Sequence, residues 1–139
     1  MRYEATPMGE RITQLYLDPL SASVIRTGLR RAVRRLVKDI GPVTNFGLLH
    51  LATATPDFTS LWAKNSEMDT NSKLWIKTNS VEEELLSDST YDEMLLSNVK
   101  SAWMVEMWAS EENIRSIEKE LDVNPCLLYT SDAADDDVR

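Results

Sequence analysis

Apolar positions along this chain recur mainly at intervals of three and four, and alternation of period two is scarce, so helices are the expected element. Thr6-Pro7 offers a cap residue followed by proline at the first helical position, and the helix it opens carries Met8, Ile12, Leu15 and Tyr16 on one face. Ahead of it, Arg2 to Thr6 is short enough to form an edge strand. Asp18-Pro19 repeats the cap-plus-proline signal and opens the longest periodic segment, which runs to about Lys38 and is stopped by Gly41-Pro42. Phe46 to Leu51 reads as a buried helix, and Thr55-Pro56-Asp57-Phe58 restarts one with cap, proline and acid in order. Asn65 to Ser80 is polar without a clear period, as in a loop or a weakly helical connection. Two capping boxes follow, at Ser80-Val81-Glu82-Glu83 and Thr90-Tyr91-Asp92-Glu93. The second opens a helix whose stripe of Leu95, Val99, Ala102, Trp103 and Met107 faces other helices. Ser110 caps a last helix through Leu121, with Glu111 and Glu112 in its first turn and Ile114, Ile117 and Leu121 inward. The fold expected is mainly α.

The segment from Asp18 to Lys38 has two unlike sides. At 100° per residue, Leu29, Val33, Leu36, Val37 and Ile40 fall within an arc of about 100°, and Arg30, Arg31, Arg34, Arg35 and Lys38 fall opposite. Such a row of cations suits a phosphate backbone, where each neutralised phosphate releases counterion. It equally suits a solvated face or pairing with the acidic part of the same chain, because no aromatic residue is interleaved for base stacking.

Charge divides the chain further. Residues 1–40 hold eight Arg or Lys against four Asp or Glu, a net of +4, whereas residues 41–125 hold six against fifteen, a net of −9. The last fourteen residues add four Asp and one Arg, which brings the total to −8. Their stretch from Cys126 to Asp135 resembles the translation of a transposon-end sequencing adapter, so residues 126–139 are expected to be foreign to the gene. About 125 residues remain, room for one modest domain or two partial ones. The single Cys lies in that tail, which leaves no disulfide framework and no Cys-based metal site. No apolar run approaches the ~20 residues that span a bilayer, and the start has no signal-peptide core, so a reducing cytoplasmic setting is expected.

Chemistry-bearing clusters are few. His50, the only histidine, has no Ser, Cys or carboxylate at a catalytic spacing and reads as a hydrogen-bonded residue at the core's edge. Glu82-Glu83-Glu84 and Glu111-Glu112 read as solvated faces, since no further ligand stands at metal-binding spacing. Trp103 and Trp108 suit base stacking, but in a stripe at helical spacing they read first as core. No catalytic, cofactor or metal residue is expected in this chain.

Four blocks carry a resemblance. Tyr3-Glu4-Ala5-Thr6-Pro7-Met8-Gly9, Leu15-Tyr16-Leu17-Asp18-Pro19-Leu20-Ser21-Ala22, Phe46-Gly47-Leu48-Leu49-His50-Leu51 and Thr55-Pro56-Asp57-Phe58, in this order, resemble the archaeal superfamily-two DNA repair helicases related to the helicase part of polymerase theta. Leu121-Asp122-Val123-Asn124-Pro125 resembles the stretch that in the family continues into Gly-Asp, and Cys126 stands in place of that Gly.

The resemblance implies an internal portion of a longer enzyme. Residues 1–40 would be the C-terminal part of a winged-helix domain, its last strand and exit helix. Residues 41–125 would be the N-terminal part of the helical ratchet domain, a partial helical bundle. Two motor domains that hydrolyse ATP with Mg2+ would lie upstream, and no Gly-rich Lys-Ser or Lys-Thr phosphate loop occurs here. The family's base-stacking Arg and Trp follow the Gly-Asp, so no residue of this chain inherits that role. Implied partners are single-stranded or forked DNA and the parent's own motor domains, in a monomer with no membrane contact. The function implied is a non-catalytic, DNA-translocating scaffold of a 3′–5′ helicase in fork repair; the other reading left open is a stand-alone winged-helix or helical interaction module.

Overall fold

In the computed structural model, residues 2–86 and 93–123 are described, and the side chain of Glu93 is left aside. Six α-helices follow in order: α1 (Pro7–Gln14), α2 (Pro19–Val37), α3 (Asn45–Thr53), α4 (Lys73–Val81), α5 (Glu93–Ala109) and α6 (Ile114–Leu121). Short 3-10 turns occupy Asn65–Met68 and Glu82–Glu84. No strand occurs among the described residues, including Arg2 to Thr6, where no neighbouring strand supplies ladder hydrogen bonds. Tertiary contacts group the chain into two units, Met1–Ala102 and Trp103–Arg139.

In the first unit, helix starts obey their local signals. Thr6 Oγ1 accepts from the Gly9 amide at 3.0 Å with Pro7 in the first turn, and Asp18 Oδ1 accepts from Leu20 at 2.8 Å with Pro19 behind it. α3 begins at Thr44, whose hydroxyl accepts from Gly47 N at 3.1 Å and donates to Glu84 Oε2 at 2.8 Å.

α2 meets α3 through its smallest residues. Ser21, Gly28 and Ala32 are buried, and a Cβ on Gly28 would lie 2.3 Å from a methyl of Leu51. Around this seam Ala32, Leu51 and Leu86 form a core cluster with Val24 and Val43 packed against it. On its other side α3 approaches the chain at Glu84, whose carbonyl oxygen would sit 2.4 Å from a Cβ on Gly47. At Gly47 the obstacle is backbone, so only glycine permits the approach, whereas at Gly28 it is the end of a side chain.

Three segments depart from their expected form. The polar stretch Asn65 to Ser80 contains α4, capped by Ser72, which accepts from Trp75 N at 3.1 Å. Its inward residues Leu74, Thr78 and Val81 do keep a helical period, hidden among Lys, Asn and Ser. Ser80 therefore lies at the end of a helix and donates to Lys77 O, not at the start of one; Glu82–Glu84 form a 3-10 turn because Thr44 and Arg35 hold Glu84 and Glu83 from other elements. Thr55 to Phe58 forms a turn and not a helix: Thr55 closes α3 by donating to Ala52 O at 2.7 Å, and Asp57 is drawn away to the start of α2. The capping box at Thr90 to Glu93 lies outside the described residues.

α5 is buried all round from Leu95 to Ala102. Such a helix must satisfy its polar groups internally, and here they bind the extended segment that precedes Asn65. Ser101 Oγ accepts from Leu61 N at 2.9 Å, Ser97 Oγ accepts from Ala63 N at 3.0 Å, and Lys100 Nζ donates to Trp62 O at 3.3 Å. Lys100, only 1% exposed, pairs with Glu67 Oε1 at 2.7 Å.

In the second unit, α5 ends at Ala109 with Glu111 in the left-handed region, at φ 58°, and its neighbour Glu112 donates to Met107 O at 3.1 Å. The cap of α6 is Asn113, accepting from Arg115 N at 2.9 Å, and not Ser110, because the turn that stops α5 consumes Ser110 to Glu112. Ile117 and Leu121 are buried, as their spacing predicts, and Ile114 is half-buried. Met107 is buried, Trp103 half-buried and Trp108 exposed at the helix end.

Candidate nucleic-acid interface

The basic helix exists, and its first turn is fixed from a distance. Asp57 Oδ2 accepts from the Asp18 amide at 3.0 Å, and the Asp57 amide donates to Ser21 Oγ at 3.3 Å. The Ser21 hydroxyl and the Asp18 amide hold the Asp57 carboxyl below its ordinary pKa. A residue beyond α3 thus satisfies an orphan amide at the N-terminus of α2, where negative charge is also favoured by the helix dipole.

The five cations divide into two kinds. Arg31 Nη1 donates to the Leu86 carbonyl at 3.3 Å, and Arg35 Nη1 donates to that of Glu83; both are half-buried and hold the 83–86 segment against α2. Arg30 and Arg34 are exposed, as is Lys38 at the helix C-cap. With Arg26 they make a row at four-residue steps along α2.

The apolar arc opposite does not face the α2–α3 core. Leu29 is 46% exposed, and Val33, Leu36, Val37 and Ile40 are more so. The cause is the small-residue seam: Gly28 and Ala32 admit a close neighbour, so the helix turns that side inward and carries its larger residues outward. At the α1 end, Met8, Leu17, Ile25, Leu29 and Val33 form the floor of a groove of about 620 Å³, and Arg26, Arg30 and Arg34 line it as well. The exposed guanidinium row therefore borders apolar surface, a geometry that suits either the phosphates of a strand or a docked protein segment.

Other candidates are quiet. His50 is fully buried, and desolvation pushes its pKa down to about 4, so it is neutral at physiological pH. Among the described residues no group of three His, Cys, Asp or Glu is placed to hold a metal, and no described helix is long and apolar enough to cross a membrane. The sequence pattern gave Trp62 no prominence, yet it is 67% exposed on the segment pinned to α5. Its signal was the alternation Leu61, Trp62, Ala63, Lys64, in which the first and third are buried and the second and fourth exposed.

Residues 46–134 match the sequence family described as archaeal helicase, domain 4. Over 131 residues the chain is 34% identical to the ATP-dependent DNA helicase Hel308 of Methanocella arvoryzae, covering 88% of this chain and 16% of that protein. It is 31% identical over 133 residues to the ATP-dependent DNA helicase Hel308 of Thermococcus kodakarensis, covering 92% of this chain and 11% of that protein. The chain thus spans less than a fifth of the length of these curated relatives. A domain match across most of the chain, and relatives that align with nearly all of it, identify the protein as a member of the archaeal superfamily-two DNA helicases.

Proposed function

We propose that this chain supplies a non-catalytic, strand-guiding portion of a 3′–5′ DNA helicase that acts on stalled or forked DNA. Residues 1–40 serve as the end of a winged-helix domain and its exit helix, residues 41–125 as the first part of the ratchet domain, and residues 126–139 as an appended tail. ATP and Mg2+ belong to motor domains elsewhere in the helicase, which works as a cytoplasmic monomer. The observation that carries this reading is the exposed row Arg26, Arg30, Arg34 and Lys38 on a helix of a DNA-helicase family member. Arg31 and Arg35 anchor the 83–86 carbonyls and take a structural part.

The test separates the two kinds of arginine within the longer helicase that contains this sequence. Arg30→Glu with Arg34→Glu lowers affinity for single-stranded DNA and reduces the slope of log affinity against log salt, by roughly 0.7 for each phosphate that is no longer neutralised. Arg31→Glu with Arg35→Glu instead lowers the unfolding midpoint. Affinity and slope that do not change in the first variant refute the assignment.

A second reading draws on the apolar floor beside the row. Leu29 and Val33 suit a surface closed by the helicase's motor domains, with Arg30 and Arg34 at the edge of that contact. In that case the first variant loses DNA-stimulated ATP hydrolysis while keeping its salt slope.

A further inference from the structure

The segment Ser60 to Lys64 is held more firmly than an irregular connection needs to be. Its backbone is bonded to α5 at three successive residues: Leu61 N to Ser101 Oγ, Trp62 O to Lys100 Nζ, and Ala63 N to Ser97 Oγ. Ser60 Oγ adds a bond to Asn98 Oδ1 at 3.4 Å, and the ammonium that holds Trp62 is itself fixed by Glu67. Leu61 and Ala63 are buried by this arrangement, and alternation then sends Trp62 and Lys64 outward on one side. An exposed indole on a backbone tied at three successive residues is a preorganised platform, whose backbone has less conformational entropy to lose when something stacks on it.

Beside that ring lies a cleft of about 490 Å³ between the start of α2, the loop after α3 and α5. Phe58 contributes a second aromatic ring, while Thr55, Thr59, Ser60, Ser97 and Asn98 bring polar groups to an otherwise apolar lining. Two residues along, about 6.6 Å at 3.3 Å per residue, Lys64 puts a cation on the same side as the indole.

We propose that Trp62 and the cleft beside it bind an unstacked nucleobase of single-stranded DNA, with Lys64 at the adjoining phosphate. The ring supplies sequence-tolerant stacking, as aromatic platforms for single strands do. This inference rests on the DNA-binding reading above. It adds a contact that depends on bases, whereas the arginine row depends on phosphates alone.

The experiment uses the full 139-residue chain, an oligomer of deoxythymidylate and an abasic phosphodiester of equal length. Binding is read by tryptophan fluorescence and by anisotropy of a labelled oligomer, with circular dichroism confirming the fold of each variant. The expected result is that Trp62→Ala weakens the thymidylate complex about tenfold, the size of one base stacked on one aromatic, and abolishes most of the quenching. Trp62→Phe retains most of the affinity, and the wild-type chain binds the abasic strand no better than Trp62→Ala binds thymidylate. Salt-dependent binding that ignores both the bases and Trp62 overturns this inference and leaves the phosphate reading standing. Failure to bind either oligomer at any salt overturns this inference, while the phosphate reading is decided by the Arg30 and Arg34 variant in the longer helicase.

Discussion

At the scale of single residues, burial decides which charges are available. Arg30 and Arg31 are neighbours in sequence with different tasks, because about 100° of helix rotation separates a guanidinium at the groove from one bonded to the Leu86 carbonyl. His50 shows the same control by environment. Its folded pKa near 4 lies below the 6.5 of the free side chain, so the unfolded chain takes up the proton first as pH falls. The associated stability is present above pH 6.5 and is lost progressively as pH drops toward 4. Between about pH 7.5 and 4.5 the loss from this group is about 2.5 kcal/mol. Urea titrations of the wild type and His50→Gln across that range check it: the variant's stability should decline less by that amount, and parallel declines would contradict it.

Element by element, the starts marked by cap plus proline at Thr6 and Asp18 were legible, whereas those expected at Thr55, Ser80 and Ser110 were not realised. Thr6-Pro7 and Asp18-Pro19 place cap and first turn in two adjacent residues, and both helices begin there. The stops carry no glycine. Tyr16, Asp39, Glu111 and Asp122 take the left-handed conformation at helix ends, a place where side-chain identity gives no warning and where each residue costs roughly 1 kcal/mol relative to glycine. α4 read only as a loop or weakly helical connection for a different reason: its inward residues are Leu74, Thr78 and Val81, and a buried threonine bonded to Leu74 O breaks the apolar count without breaking the helix. Asp57 has the position of a helix-starting acid and does start a helix, but one whose first amide lies 39 residues earlier.

Glycines make the packing of α3 testable. A Cβ on Gly47 meets the Glu84 carbonyl oxygen, part of a backbone held by its own bonds, whereas a Cβ on Gly28 meets the movable end of Leu51. Gly47→Ala should therefore cost about 3 kcal/mol and Gly28→Ala about 1 kcal/mol, each net of a helix-propensity gain. Chemical unfolding of the two variants reads the order directly. A larger loss for Gly28→Ala would mean that Leu51, and not Glu84, is the unyielding partner.

Over the whole molecule, the main departure from the sequence pattern is the outward face of α2. Periodicity located the stripe Leu29, Val33, Leu36, Val37 and Ile40, but a stripe does not name its partner, and Ser21, Gly28 and Ala32 won the seam by allowing closer approach. The candidate site was legible to a similar degree: all five cations lie on the predicted helix, yet their division into two kinds required the positions of the Glu83 and Leu86 carbonyls. An exposed stripe has a measurable signature. Val33→Ser with Leu36→Ser should change the stability of the 139-residue chain by no more than about 0.5 kcal/mol per site. In the longer helicase the same pair should cost several times more where other domains cover the stripe. Equal, small losses in both settings would show that nothing covers it.

The seam between α2 and α3 has a mechanical side as well. Helices that touch through long side chains have a compliant layer between them, which rotamer changes can absorb. Ser21, Gly28 and Ala32 contribute almost no such layer from the α2 side, which leaves the Leu51 side chain as its movable part, and the Asp57 bonds tie the start of α2 to the loop after α3. Fewer rotamer changes are therefore available to absorb a shift of α2 against α3 than in a seam built of long side chains on both sides. Were a strand to engage Arg30 and Arg34, as proposed above, the close approach at Gly28 and the Asp57 bond would carry its displacement toward α3.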